Sequence, residues 1–262
     1  MRRLAPAFLA VALVFTTGGS LMAQAGAPMH APDFRAQERI APLYFSPKPN
    51  APFMAIAKTL WVRTLPDGST VTTQNERVVA RDMEGRVFQE RRTFIPVPDD
   101  GKQQSQAYAT EYTDPVAHAA YHCRPMQKTC ELQNLFAQEN NAELPAGLQP
   151  DQITFLTREN LGVDTVDGIE VQRSREVFTH YAQTIGNTKT ILRTVDYWYS
   201  PQLGVNVKVV RHDPRDGDQT LWLSDISPTA ADPETFKVPS DFKVFDHRMS
   251  RPTGRQPAAN SR

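Results

Sequence analysis

Residues 153–182, ITFLTRENLGVDTVDGIEVQRSREVFTHYA, decide how this chain is read. Two runs rich in β-branched and aromatic residues, 153–166 and 169–182, flank Asp167-Gly168. Such a dipeptide between two strand-forming runs marks a tight turn, so the stretch reads as a β-hairpin. The pattern continues downstream. TKTILRTVDYWYSP (188–201) and GVNVKVVRHD (204–213) pair across Pro201–Gly204, and the turn Arg215–Asp218 leads into QTLWLSDISP (219–228).

Upstream the texture is the same. FMAIAKTLWVRT (53–64) is followed by Leu65-Pro66-Asp67-Gly68, then STVTTQNERVVARD (69–82), a turn at Met83-Glu84-Gly85, and RVFQERRTFIPV (86–97). This is an antiparallel meander. After a polar loop, QAYATEYTDP (106–115) opens a further hairpin, and residues 136–152, with two prolines, read as surface loop. The count comes to about ten strands with hardly any amphipathic helix, joined by local turns. The expected fold is therefore mainly β: an antiparallel meander forming a curved sheet or half-open barrel, with closure into a sandwich as the alternative. Polar residues alternate with apolar ones, so one face of the sheet is expected to meet water.

The ends differ from this middle. Arg2 and Arg3 precede the apolar run Phe8–Phe15, and Ala23-Gln24-Ala25 follows with small residues at the spacing of a signal-peptidase site. That order reads as a secretory signal peptide over 1–25, cleaved near Ala25. Its apolar run falls short of the ~20 residues that span a bilayer. Residues 26–52 are rich in proline and alanine and read as a linker, 53–247 as a single β-rich domain, and 248–262 as a disordered tail. The expected location is periplasmic or secreted. Lysine plus arginine equals aspartate plus glutamate at 29 each. That balance argues against a nucleic-acid partner, which calls for a basic stripe.

Export makes a disulfide the expectation for the two cysteines, Cys123 and Cys130, in YHCRPMQKTC (121–130). Equal offsets about a turn at Met126-Gln127 set them opposite each other, and closing so small a loop stabilises by roughly 2.5 kcal/mol. A metal site would have to recruit His118 or His122, but Cys-x6-Cys is not a usual zinc spacing, and a redox Cys-x-x-Cys is absent.

LGVDTVDGIEVQRSREV (161–177), VDYWYSPQLGVNVKVVRHDPRDGDQTLWLSDISP (195–228) and DPETFKVPSDFKV (232–244) resemble an uncharacterised family of secreted bacterial β-rich proteins. The shared marks are an LG…DG hairpin, a WYSP strand end, a DPR-x-G turn and a closing DP-x-x-F-x-VP motif. LPDGSTVT (65–72) and RDMEGRVFQE (81–90) fit the opening meander of that family, so the resemblance covers residues 53–245. The family is distantly similar to the LolA-like fold of lipoprotein carriers and sigma-regulator sensors. This resemblance implies an incomplete antiparallel barrel around an apolar cavity covered by helices, a ligand- or partner-binding role, and no catalytic residues.

The residues themselves offer little chemistry. Asp114, His118 and Ser105 lack a nucleophile motif. Asp213, Asp216 and Asp218 have hairpin-turn composition and miss the EF-hand spacing. Glu170 and Glu176 share a face ~20 Å apart, too far for paired acid–base work. His180 and His212 read as ordinary strand residues. Aromatic residues are the better lead. Tyr197, Trp198 and Tyr199 are consecutive, with Trp61 and Trp222 on other strands. These rings either fill the core or line a ligand wall. If Trp61, Trp198 and Trp222 share an inner face, they form an apolar cavity suited to an acyl chain. The expectation is a non-catalytic binding module without cofactor or metal. Its candidate partners are a lipid or lipoprotein, or alternatively an envelope protein.

Overall fold

The structure is a computed structural model that describes residues 43, 45–97, 105–135, 145–229 and 231–248. The first meander runs β1 (Phe53–Thr64), β2 (Thr70–Arg81), β3 (Val87–Arg92), the short β4 (Ile95–Pro96), β5 (Ala107–Asp114), β6 (Ala119–Arg124) and β7 (Thr129–Asn134). The second runs β8 (Gly147–Leu148), β9 (Phe155–Val166), β10 (Ile169–His180), β11 (Ile191–Ser200), β12 (Val205–Asp213) and β13 (Gly217–Ser227). A last strand, β14 (Lys243–Asp246), returns to lie parallel to β7.

All fourteen strands belong to one sheet, ordered β14-β7-β6-β5-β3-β2-β1-β13-β12-β11-β10-β9-β8, with β4 paired to β2. The two meanders fuse where β1 meets β13. The ladder ends at β14 and β8 and does not close into a barrel. The expected open, mainly β architecture is the one observed, and a sandwich is not. Two short strands (β8 and β14) lie beyond the expected set, because two to four residues carry too little periodicity to register, and the expected strand 86–97 is divided into β3 and β4. The helices implied by the family resemblance are not among the described residues, which hold only two 3-10 turns, Pro125–Gln127 and Pro233–Phe236.

Local chemistry explains the hairpins. At the β9–β10 turn Asp167 and Gly168 both have positive φ, 49° and 79°, the demand of a two-residue turn matching strand twist. Gly217 opens β13 at φ +88°, where an added Cβ would stand 2.2 Å from the Val62 carbonyl oxygen. Only glycine fits that close approach.

The sheet buries opposite faces in its two halves. Phe53, Ala55, Ala57, Val79 and Val87 share one face with Val207, Val209, Leu221 and Leu223 and form the main core. On the other face, Phe88, Tyr112 and Tyr121 form a cross-strand row. They pack with the Cys123–Cys130 pair, Val238 and Phe242 in a second, smaller core. The switch falls within β3, between Val87 and Phe88. Each half is covered on its buried face by irregular chain: Leu43, Phe45 and Leu203 on the main core, the segment carrying Val238 and Phe242 on the second.

The linker expectation does not hold at its C-terminal end. Leu43, Phe45 and Ala51 are buried. Arg81, wholly buried on the same side, donates to the carbonyls of Ala51 (2.8 Å), Ser46 (3.0 Å) and Leu203. A buried guanidinium spends its fork on backbone carbonyls that irregular chain cannot satisfy by itself. Burial pushes its pKa down to about 10. Within the expected surface loop, Gly147–Leu148 pair with β9 and Gln149 is buried. The expected signal peptide, the rest of the expected linker and residues 249–262 of the expected tail lie outside the described residues.

The cysteines stand where the turn argument put them. Cys123 and Cys130 face each other across β6 and β7, bonded, with Cα atoms 4.0 Å apart.

Candidate functional site

The register decides what the tryptophans can do. Trp61 pairs with Gln219, whereas Trp222 pairs with Lys58, three residues away on β1 with no bulge between. An odd offset puts Trp222 on the face opposite Trp61. Trp198 pairs with Lys208, which pairs with Trp222. The three expected site residues therefore do not share a face. Trp61 is buried, its indole N–H donating to the Asp216 carbonyl at 2.7 Å. It anchors the β12–β13 turn. Trp198 and Trp222 stay together in the cross-strand row, both half-buried, with Trp198 also packed against the main core.

They belong to a row crossing six strands: Arg173 on β10, Trp198, Lys208, Trp222, Lys58 on β1 and Glu76 on β2. At ~4.8 Å per strand the row is about 24 Å long. The Arg173 guanidinium lies 5.0 Å and the Lys208 ammonium 4.8 Å from the Trp198 ring centre. Both sit at cation–π distance. Lys58 pairs with Glu76 at 3.2 Å.

At its β2 end the row opens into a cleft of about 450 Å³. The cleft exists because the ladder beside β2 is broken. β3 pairs with Val79–Arg81 and β4 with Thr73 and Gln74, which leaves Asn75–Val78 without a strand neighbour on that side among the described residues. Side chains bridge the gap. The Glu90 carboxylate accepts the Val78 N–H at 3.0 Å and is gripped by Arg92 Nε at 2.8 Å. The Asn75 amide donates to the Arg92 carbonyl at 3.2 Å, and Arg92 donates to the Ser105 carbonyl at 2.7 Å. Burial opposes the charge on Glu90, but Arg92 and the Val78 N–H outweigh it and hold the carboxyl below its ordinary range. With Lys58, Gln74, Glu76 and Arg77 also on the wall, the cleft is a hydrogen-bonding site rather than an apolar cavity.

The other acidic candidates are committed elsewhere. Asp213 is engaged by Arg215 at 2.7 Å, and Asp218 faces His212 at 2.5 Å. Glu176 takes Arg158 Nε at 3.0 Å and the Tyr197 hydroxyl at 3.3 Å. Burial, and then the Glu176 charge, push Tyr197 up to about 12. Among the described residues no three His, Cys, Asp or Glu side chains gather at metal-binding range. No described helix is long and apolar enough to cross a membrane.

Sequence reasoning missed Lys58, Glu76, Glu90, Arg92, Arg173 and Lys208. The alternation in β1 does separate Lys58 from Trp61, but nothing in one strand tells which residue of another lies beside it.

No protein-family model and no curated protein sequence matches the chain. Among solved structures, it is similar to an uncharacterised conserved protein from Thermus thermophilus: 8% identity, 75% of this chain and 91% of that one covered, TM-score 0.37. The Pseudomonas aeruginosa MucA/MucB complex gives 12% identity, coverage of 73% and 58%, and a TM-score of 0.34. LprF from Mycobacterium bovis gives 12%, coverage of 73% and 90%, and 0.28. This chain thus spans under two thirds of the matched Pseudomonas chain. Likeness at these scores carries no function across.

Proposed function

We propose that the chain is a non-catalytic binding module of the cell envelope and that its partner is a polypeptide. The observation that carries this reading is the row from Arg173 to Glu76, with two half-buried indoles set among cations and ending in a hydrogen-bonding cleft. Tryptophan and arginine supply most of the anchoring energy at protein interfaces, and a polar slot beside them gives orientation. A lipid or lipoprotein acyl chain needs an apolar wall, which the described cleft does not offer. The envelope location rests on the export pattern at the N-terminus.

Native mass spectrometry of the protein released from the periplasm without detergent tests the reading. A polypeptide adduct is expected, and it should disappear when Trp198, Lys208 and Trp222 are all changed to alanine. A solvent-extractable adduct that fragments as lipid, insensitive to those changes, would overturn the reading in favour of a carrier.

A further inference from the structure

We propose that Arg173 and Lys208, set against the Trp198 ring, form a clamp for a carboxylate of the partner, so that the polypeptide segment recognised is acidic. The inference rests on the binding reading above and gives the chemistry of the same row. Register brings the three residues together. Arg173 on β10 pairs with Trp198 on β11, and Trp198 pairs with Lys208 on β12. One indole thus holds two cations, centred 5.0 and 4.8 Å from its ring centre. They lie within ~10 Å of each other, inside the range where like charges repel. Lys208 has a second indole, Trp222, on its other flank. Trp198 also packs on the main core, which fixes the ring between its cations before a partner binds.

The protein leaves these cations short of acceptors. Among the described residues neither Arg173 nor Lys208 donates a hydrogen bond, and Arg173 Nε is buried without an acceptor. Asp164 Oδ2 stands 3.6 Å from Arg173 Nη1, too far for a hydrogen bond, while its Oδ1 takes the Thr165 N–H at 2.8 Å. Lys208 has no ion pair with a described carboxylate. Lys58, further along the row, is already paired with Glu76. Positive charge therefore exceeds negative along the row, and the excess sits at Trp198. A carboxylate answers both cations at once, because its two oxygens accept from a guanidinium and an ammonium together. The flanking indoles keep water away and strengthen that attraction.

The probes are two capped eight-residue peptides, one of alternating glutamate and leucine, the other its uncharged twin with glutamine for glutamate. Fluorescence anisotropy of labelled peptide gives the affinity for the mature protein, and the Trp198 indole N–H resonance in nitrogen-15 spectra gives the place. The glutamate peptide should move that resonance and bind about tenfold tighter than its twin. The gap should narrow as salt rises from about 50 to about 300 mM. Lys208→Gln should close the gap at low salt, and Lys208→Arg should keep it. Asp164→Asn removes the competitor beside Arg173 and should tighten the glutamate peptide by about threefold, leaving the twin unchanged. A gap that survives Lys208→Gln, in a protein with unaltered circular dichroism, overturns the clamp. Equal binding of both peptides with the Trp198 resonance moving also overturns it, while the binding row stands. If neither peptide binds, the clamp falls, and phosphatidylglycerol vesicles that then shift Trp198 would bring down the polypeptide reading as well.

Discussion

Arg81 on β2 donates to the carbonyl of Leu203 in the β11–β12 turn, 122 positions along the chain. With its bonds to Ala51 and Ser46, that contact ties three separate stretches of irregular backbone to the middle of the sheet. Replacing Arg81 with methionine fills the space and leaves those carbonyls unmet at roughly 1–3 kcal/mol each. A loss of at least about 3 kcal/mol is expected in urea unfolding. Lysine should not rescue it, since a single ammonium cannot reproduce the planar fork.

The Cys123–Cys130 bond closes a short loop in the smaller core. Reduction, or replacement of both cysteines by alanine, should remove roughly 2.5 kcal/mol by the chain-entropy estimate. Intact mass should rise by about 2 Da on reduction, the weight of two hydrogens. Urea titration with and without reductant measures the first effect. An unchanged midpoint would mean that the unfolded chain is already constrained there.

Glu90 gives the protein an acid-sensitive seam. Its folded pKa lies below the ordinary glutamate value of 4.5. The stability it contributes is therefore fully present above that unfolded value and is lost as pH falls through the lower, folded one. The urea midpoint of the unmodified protein should drop across this acidic window more steeply than that of Glu90→Gln. Parallel curves for the two proteins would remove Glu90 from the account.

Trp61 and Trp222 should behave differently towards a small quencher. Acrylamide is expected to reach the half-buried Trp222 and Trp198 more readily than Trp61, only 5% exposed. Trp61→Phe should cost about 1 kcal/mol through the lost bond to Asp216 and leave partner binding intact. Trp222→Ala should weaken binding by tenfold or more, the usual cost of about 2 kcal/mol for a central aromatic anchor, with little change in urea midpoint. Equal effects of the two changes on binding would contradict the assignment of faces.

The hairpins were legible because their signals are local. Asp167-Gly168 and the turn after Leu65 each sit between runs with a period of two, and β1, β2, β9 and β10 appear within two residues of their expected bounds. Pairing between distant strands leaves no such mark. Whether Trp61 shares a face with Trp222 depends on the β1–β13 register, and a shift of one residue reverses the answer. The break beside β2 was hidden for the same reason: residues 86–97 read as one strand, and only the partner reveals that β3 leaves at Arg92 and β4 returns at Ile95. The packing of Phe45 and Ala51 was masked by the prolines around them, which signal irregular backbone but say nothing about burial.

The seam between β1 and β13 sets the order of assembly. Trp61 and its acceptor Asp216 lie along it, 155 positions apart. Hairpins within each meander form on the scale of microseconds from their own turns. The seam must wait for a long-range encounter whose entropic cost no local turn lowers. Until β13 has been synthesised, β1 presents a bare twelve-residue edge carrying Phe53, Leu60 and Trp61. That makes the newborn chain a template for self-association, and a natural client for a holdase, well before it can recognise any partner.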